Sequence, residues 1–472
     1  MTESRHLHII GICGTAMAGL ASLARDGGWQ VTGSDAGVYP PMSTFLQERG
    51  ITTYEGFRPE NLNPVPDLVL VGNAISRGNP ELEALMDLDI PYRSGAEWLF
   101  QHLLEGRHPI VVAGTHGKTT TTSIIAWLWE HAGEEPGFFI GGIPLNFGQG
   151  VRYPKRDWVV VEGDEYDTAF WDKRPKFLHY RPRTLVFHNL EFDHADIYPD
   201  LEAICTQFRF LLRTVPPSGL ILANGDDSEV ECVVRESFTP IVRYGLDGDF
   251  PFTARLDKED GSHWTLIRDG EPLFSVQWKL LGRHNVINAL AASAAALSHG
   301  LSPEKIKSAL ELFEGVARRF QLRYEINGIS VYDDFAHHPT AVATTLAAIG
   351  AAGRGRIWAV LEPRSNTMRR RVHQGRLAPA LAQADRVLLA RPKARGLPDE
   401  ELLDVEEVAD RINSGGTQSA VVVEDAGEAI EILQKQLEPG DQVVVMSNGG
   451  FDDILGKLHD TLSQANNGDG GS

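Results

Sequence analysis

The sequence predicts an α/β protein built from three domains, and three observations predict it. The chain has 472 residues, which at roughly 150 residues per domain makes about three compact units. Short apolar, β-branched runs alternate with helical stretches, the rhythm of parallel sheets whose loops gather at the carboxyl ends of the strands. At three places such a run opens into a loop of glycine or polar residues suited to binding ions.

The first opening is a strand over 6–12 leading into Gly11-Ile12-Cys13-Gly14-Thr15-Ala16-Met17, then a helix over 16–25. Strands over 31–35 and 68–71 follow, the second ending at Gly72-Asn73-Ala74-Ile75-Ser76. The second opening is a strand over 110–113 before Gly114-Thr115-His116-Gly117-Lys118-Thr119-Thr120, with a helix over 119–131 and later buried strands over 158–161 and 185–187. The third is a strand over 330–332 before Asp333-Asp334-Phe335-Ala336-His337-His338-Pro339, and strands over 357–361, 386–389, 420–423 and 442–446 alternate with helices after it. Domains are expected at 1–107, 108–315 and 316–465. The polar, glycine-rich end, 466–472, is expected to fray.

Composition narrows the function. Hydrophobic residues make up 42% and charged residues 23%, a globular balance that excludes wholesale disorder. The net charge of −20 repels nucleic-acid backbones and anionic membranes, so neither is an expected partner. Small phosphates need only a local positive site. Cys13, Cys205 and Cys232 are widely separated, which argues against a disulfide framework or a thiolate metal site. No apolar run approaches ~20 residues, so a membrane span is not expected and a cytoplasmic setting is.

The loop Gly114 to Thr119 lies between a β-branched run and a helix, the context that gives a phosphate loop its meaning. Its glycines let backbone N–H groups approach phosphate oxygens, and the helix N-terminus adds positive character. Lys118 supplies a point charge for the outer phosphates of a nucleotide, and Thr119 a hydroxyl for Mg²⁺. The usual first glycine, six residues before the lysine, is Val112 here. Glu162-Gly163-Asp164-Glu165-Tyr166-Asp167 crowds four carboxylates at a strand end, which calls for cations or solvent. Asn189-Leu190-Glu191-Phe192-Asp193-His194-Ala195-Asp196 follows a second strand. Thr119 is expected on a first Mg²⁺, with Glu162 and His194 on a second. The first glycine loop does not satisfy the dinucleotide pattern G-x-G-x-x-G; it suits a diphosphate of some nucleotide at a helix N-terminus, with Asp35 about twenty residues on placed for a ribose or base.

These motifs, in this order, resemble the Mur ligase family. Further matching stretches are Gly282-Arg283-His284-Asn285-Val286-Ile287-Asn288-Ala289 and Gly315-Val316-Ala317-Arg318-Arg319-Phe320. The resemblance implies a Rossmann-like N-terminal domain, a P-loop ATPase-like central domain and a Rossmann-like C-terminal domain. It implies an ATP-dependent ligase of peptidoglycan metabolism that activates UDP-N-acetylmuramate as an acyl phosphate, with two Mg²⁺ ions and no obligate protein partner. Stretches such as Glu362-Pro363-Arg364-Ser365-Asn366-Thr367-Met368 and Met446-Ser447-Asn448-Gly449-Gly450-Phe451 look like the branch that adds the recycled murein tripeptide; the alternative acceptor is L-alanine.

The resemblance also implies roles. Lys118, Glu162 and His194 are expected to be catalytic. ATP is expected on Gly114, Thr115, His116, Gly117, Lys118, Thr119 and Thr120, with Asn285 and Asn288 toward adenine, Arg319 on phosphate and Asp334 on ribose. The UDP-sugar is expected against Gly11, Gly14, Thr15, Ala16, Met17, Asp35, Ser76 and His116. Arg364 and Lys393 are expected to meet the carboxylates of the peptide, because a tri-acidic substrate needs cations. Several family members carry a carbamylated lysine beside the second Mg²⁺; no lysine lies between Lys176 and Lys258, and Arg209 occupies the helix after the His194 loop, so no carbamate is expected. The attacking amine must be neutral, and His188, His194, His337 and His338 all remain candidates for its base. Arg369-Arg370-Arg371 is expected to be a solvated basic helix face. Two other readings are a nicotinamide-dependent oxidoreductase built on the first glycine loop and a non-catalytic nucleotide switch.

Overall fold

The computed structural model describes residues 5–39, 42–353, 355–394, 396–416 and 419–468. Its N-terminal sheet has five parallel strands, β1 (His6–Ile10), β2 (Gln30–Asp35), β3 (Thr52–Glu55), β4 (Leu68–Val71) and β5 (Tyr92–Ser94), in the order β3-β2-β1-β4-β5. The order reverses between β1 and β4, so the loops after these two strands face one crevice, the usual ligand position in such sheets. β1 stops at Ile10 rather than at the expected residue 12, because Gly11 turns the chain with φ 86° and its N–H and that of Ile12 both bond to the Ser34 carbonyl.

The central sheet has ten strands: β6 (His108–Ala113), β7 (Gly137–Phe139), β8 (Val151–Arg152), β9 (Trp158–Gly163), β10 (Thr184–Phe187), β11 (Leu220–Asn224), β12 (Ile241–Gly245), β13 (Phe252–Leu256), β14 (His263–Arg268) and β15 (Glu271–Gln277). Their order is β15-β14-β13-β12-β11-β10-β6-β9-β7-β8. The run from β13 to β7 is parallel, and β8, β14 and β15 join antiparallel. β6 lies between β9 and β10, and all three are almost wholly buried runs of valine, isoleucine and leucine, as a sheet covered on both faces requires. This neighbourhood brings the phosphate loop, the carboxylate loop and the histidine loop to one rim.

The third sheet comprises β16 (Gln321–Ile326), β17 (Ile329–Asp334), β18 (Ile357–Leu361), β19 (Arg386–Ala390), β20 (Ser419–Val423) and β21 (Gln442–Met446), ordered β16-β17-β21-β18-β19-β20 with only β16 antiparallel. The final helix, Ile454–Gly468, runs three residues into the segment expected to fray, and residues 469–472 lie outside the described residues. The arginine triplet is not a solvated helix face. It runs into a short 3-10 turn, Arg371–His373, whose first residue is Arg371; Arg369 is buried, and Arg370 and Arg371 reach Glu401 and Asp404. No helix among the described residues is long and apolar enough to cross a membrane.

One polar cluster under the central sheet makes stability depend on pH. His108 Nε2 and His299 Nε2 both meet Thr184 Oγ1, at 2.9 and 2.8 Å, a hydroxyl that can accept from one ring while donating to the other. Burial, with the neighbouring His299, pushes His108 down to about 4, whereas the unfolded chain binds that proton near pH 6.5, an ordinary histidine value. Protons therefore favour unfolding as pH falls between these values. Melting temperature is expected to drop between pH 7 and pH 4, and less steeply in His108→Gln than in the native chain; identical slopes would remove the cluster from the account.

Candidate active site

The phosphate loop is shaped by two glycines. Gly114 has φ 141°, and a Cβ there would lie 2.9 Å from the backbone of Asn189; Gly117 has φ 79°, and a Cβ would lie 2.6 Å from Asn288 Oδ1 and 2.8 Å from His188 Cδ2. Gly117 caps the helix Lys118–His131, so left-handed backbone and close approach are demanded together. Gly117→Ala is expected to lower kcat/KM for ATP at least ~100-fold, since both strain and collision act at the loop where phosphate is expected; near-native kinetics would show that the loop tolerates a side chain.

Lys118 curls over its own loop. Its Nζ donates to the carbonyls of Gly114 (2.7 Å) and Thr115 (3.2 Å) and pairs with Glu165 at 2.9 Å. Burial disfavours the ammonium, but Glu165 and Asp164 outweigh it and hold its pKa above the usual lysine value. Burial likewise disfavours the Glu165 carboxylate, and Lys118 and His194 outweigh that. His194 Nε2 lies 3.0 Å from Glu165 Oε1, and Tyr198 donates to the Glu165 carbonyl. Glu165 therefore ties the lysine to the histidine, a link that the sequence signals only as one of four crowded carboxylates.

Glu162 stands on the other side of the loop. Thr119 Oγ1 lies 3.2 Å from Glu162 Oε2, and the Gly141 N–H donates to Oε1 at 2.8 Å. Burial, then Asp164, pushes the Glu162 carboxyl up to about 7. Arg319 enters from the C-terminal domain and donates Nη2 to Thr119 Oγ1 at 2.9 Å. Its neighbours Arg318 and Phe320 sit in the left-handed region, φ 61° and 49°, a strained segment of the kind found where a side chain is aimed into a site. Thr119, Glu162 and Arg319 are thus assembled; His194, expected beside Glu162 on a second ion, pairs with Glu165, which also holds Lys118.

A cavity of ≈620 Å³ unites these groups. Its walls include Thr115 to Thr120, Asn285, Asn288, Arg319 and Asp334, and, from the N-terminal domain, Thr15 and Ala16. Asp334 is buried and accepts from Thr345 Oγ1 at 2.6 Å. Asn288 accepts from Thr121 Oγ1 at 3.2 Å. Of the other residues expected on the sugar side, Gly11, Gly14 and Met17 stand in the turn and helix beside the cavity rather than on its wall. Asp35 accepts from the Cys13 N–H at 2.9 Å, bracing the glycine loop, and Ser76 is exposed on the loop after β4. His116 packs against His338 with ring centres 4.7 Å apart. Arg364 lies 3.7 Å from Glu362 and Lys393 is exposed on the loop after β19; neither is among the residues that line this cavity. Thr340 and Arg376 were not singled out from sequence; both bond Glu191, at 2.7 and 2.8 Å, across the junction of the central and C-terminal domains. No spacing marks such partners, because they meet only through the fold.

Three α/β domains closing around one phosphate loop define a multidomain nucleotide-dependent enzyme. Family models described as "Mur ligase family, catalytic domain", "Mur ligase middle domain" and "Mur ligase, glutamate ligase domain" match residues 6–107, 112–296 and 318–449. The chain is 46% identical over 461 residues to the UDP-N-acetylmuramate--L-alanyl-gamma-D-glutamyl-meso-2,6-diaminoheptandioate ligase of Escherichia coli K12, covering 97% of this chain and 98% of that one. It is 33% identical to the UDP-N-acetylmuramate--L-alanine ligase of Acetivibrio thermocellus, covering 94% of this chain and 93% of that one. The crystal structure of a murein peptide ligase from Psychrobacter arcticus superimposes with a TM-score of 0.75 at 41% identity, covering 97% and 99% of the two chains. The chain belongs to the Mur ligase family.

Proposed function

We propose that this enzyme uses ATP to join UDP-N-acetylmuramate to the peptide L-alanyl-γ-D-glutamyl-meso-diaminopimelate in peptidoglycan recycling. The observation that carries this reading is the identity of 46% across 97% of the chain to the ligase of that name, against 33% to an L-alanine ligase. A carboxylate is a poor electrophile, and phosphorylation converts its oxygen into a leaving group. Two anions, the sugar-linked carboxylate and the terminal phosphate, must first be held together. Lys118 exchanges its bond to Glu165 for phosphate oxygens and stabilises charge as the phosphoryl group transfers. Arg319 adds a second cation. The oxygens of Thr119 and Glu162, 3.2 Å apart, are hard donors that fit Mg²⁺, which when bound would neutralise phosphate charge. A second ion with His194 as a ligand belongs to the same proposal.

Asn285, Asn288 and Asp334 hold the nucleoside end, Thr15, Ala16 and His116 face the sugar, and Arg364 and Lys393 receive the peptide carboxylates after domain movement. The bond-forming amine loses its proton, and tetrahedral collapse expels phosphate. A closed cavity protects the acyl phosphate from water. The test is phosphate release from ATP with UDP-N-acetylmuramate and either the tripeptide, L-alanine or no acceptor. The tripeptide is expected to give a kcat/KM at least ~10-fold above L-alanine. A preference for L-alanine, or release indifferent to acceptor, would overturn the assignment.

A further inference from the structure

We propose that His116, Glu191 and His338 form a transition-metal site, selective for Zn²⁺ over Mg²⁺, that staples the C-terminal domain to the phosphate loop. One ligand atom from each of the three residues lies within 4.8 Å of the others. His116 Nε2 is 3.7 Å from Glu191 Oε1, and His338 Nδ1 is 3.9 Å from Glu191 Oε2. Zinc bonds of about 2.0–2.1 Å in a tetrahedron place ligand atoms roughly 3.4 Å apart, so closing around an ion needs shifts of a few tenths of an ångström for the two pairs with Glu191 and at most about 1.4 Å for the pair of histidine nitrogens, which lie within 4.8 Å of each other.

The surroundings prepare these atoms as ligands. His116 Nε2 is buried with no hydrogen-bond partner among the described residues. His338 Nε2 lies 3.4 Å from the Phe192 carbonyl, to which it donates, leaving Nδ1 as the lone-pair nitrogen. That atom accepts only a long bond of 3.3 Å from the Thr340 N–H. Glu191 Oε2 is oriented by Thr340 Oγ1 and Arg376, while Oε1 faces His116. Carbonyl, hydroxyl and guanidinium partners of this sort fix tautomer and direction in metal centres. His373, 1% exposed and with neither ring nitrogen hydrogen-bonded among the described residues, stacks edge-on against His338 with centres 4.6 Å apart. It supplies a partner for a water in the fourth position.

Two imidazoles and one carboxylate suit Zn²⁺, whereas the oxygen pair of Thr119 and Glu162 suits Mg²⁺. Because His116 and Glu191 belong to the central domain and His338 to the C-terminal one, a bound ion would hold the cavity shut and block exchange of substrates. That inhibitory consequence rests on the proposed ligase reading; the binding itself does not.

The experiment titrates the full-length chain with Zn²⁺ alone, against a chromophoric chelator in Mg²⁺-containing buffer without nucleotide. One ion per chain is expected, with affinity falling at least ~100-fold in both His116→Gln and Glu191→Gln and unchanged in Glu162→Gln. Circular dichroism of each variant confirms that it is folded. Zinc affinity unaltered in both loop variants, or lost equally in Glu162→Gln, would overturn the site. Ligase activity, read separately with the zinc chelated, reports on the proposed function and not on this proposal.

Discussion

Lys118→Ala is expected to lower turnover by about 10³-fold or more, equivalent to about 4 kcal/mol of transition-state stabilisation. The lysine is the one ammonium that the loop folds around, bonded to two of its carbonyls and to Glu165. Phosphoryl transfer offers the protein little covalent chemistry, so positioning and charge supply nearly all of the catalysis. The substitution also strips a cation from Glu165, whose side chain is 5% exposed, so some loss of stability is expected because a buried charge is left with a histidine alone. Thermal melts separate the two effects. A fall in kcat far beyond the fraction unfolded supports the assignment, and near-normal kcat in a folded variant removes Lys118 from the mechanism.

Arg319→Ala is expected to cost about 10²- to 10³-fold in kcat/KM for ATP. The arginine is half-buried, and its guanidinium lies over the Phe335 ring with its centre 4.9 Å from the ring centroid. It crosses from the C-terminal domain to Thr119, so it both adds positive charge and joins the domains. Burial drives its pKa below the usual arginine value, with Glu162 and Asp334 opposing, and a nearby anion repays that cost. Arg319→Lys is expected to recover little, since a point charge on a flexible stem cannot hold the same fork of donors. Full recovery by lysine would mean that only net charge matters there.

Much of this was legible along the chain. The strands over 68–71, 357–361 and 442–446 begin and end where the sequence pattern placed them, because fully buried parallel strands read as uninterrupted apolar runs. The turn from Gly114 to Gly117 was legible because glycines stand between an apolar run and a helical stretch, and the structure has a strand ending at Ala113 and a helix opening at Lys118. The rest was hidden for a physical reason. Glu165 looks like any member of an acidic turn until β9 and β10 flank β6 and bring it to Lys118. The basic triplet over 369–371 looked solvated because its acidic partners, Glu401 and Asp404, lie about thirty residues away in sequence. Thr340, Arg376 and His373 gain meaning only at the seam between two domains, where no local period reports them.

Transfer of oxygen from the sugar acid to phosphate tests the central claim most directly. UDP-N-acetylmuramate labelled with ¹⁸O in its carboxylate is turned over with ATP and the tripeptide, and the released phosphate is analysed by mass spectrometry. One labelled oxygen per phosphate is predicted, because the carboxylate oxygen attacks phosphorus and leaves with it. Phosphate free of label, at equal amounts of amide product, would contradict the account.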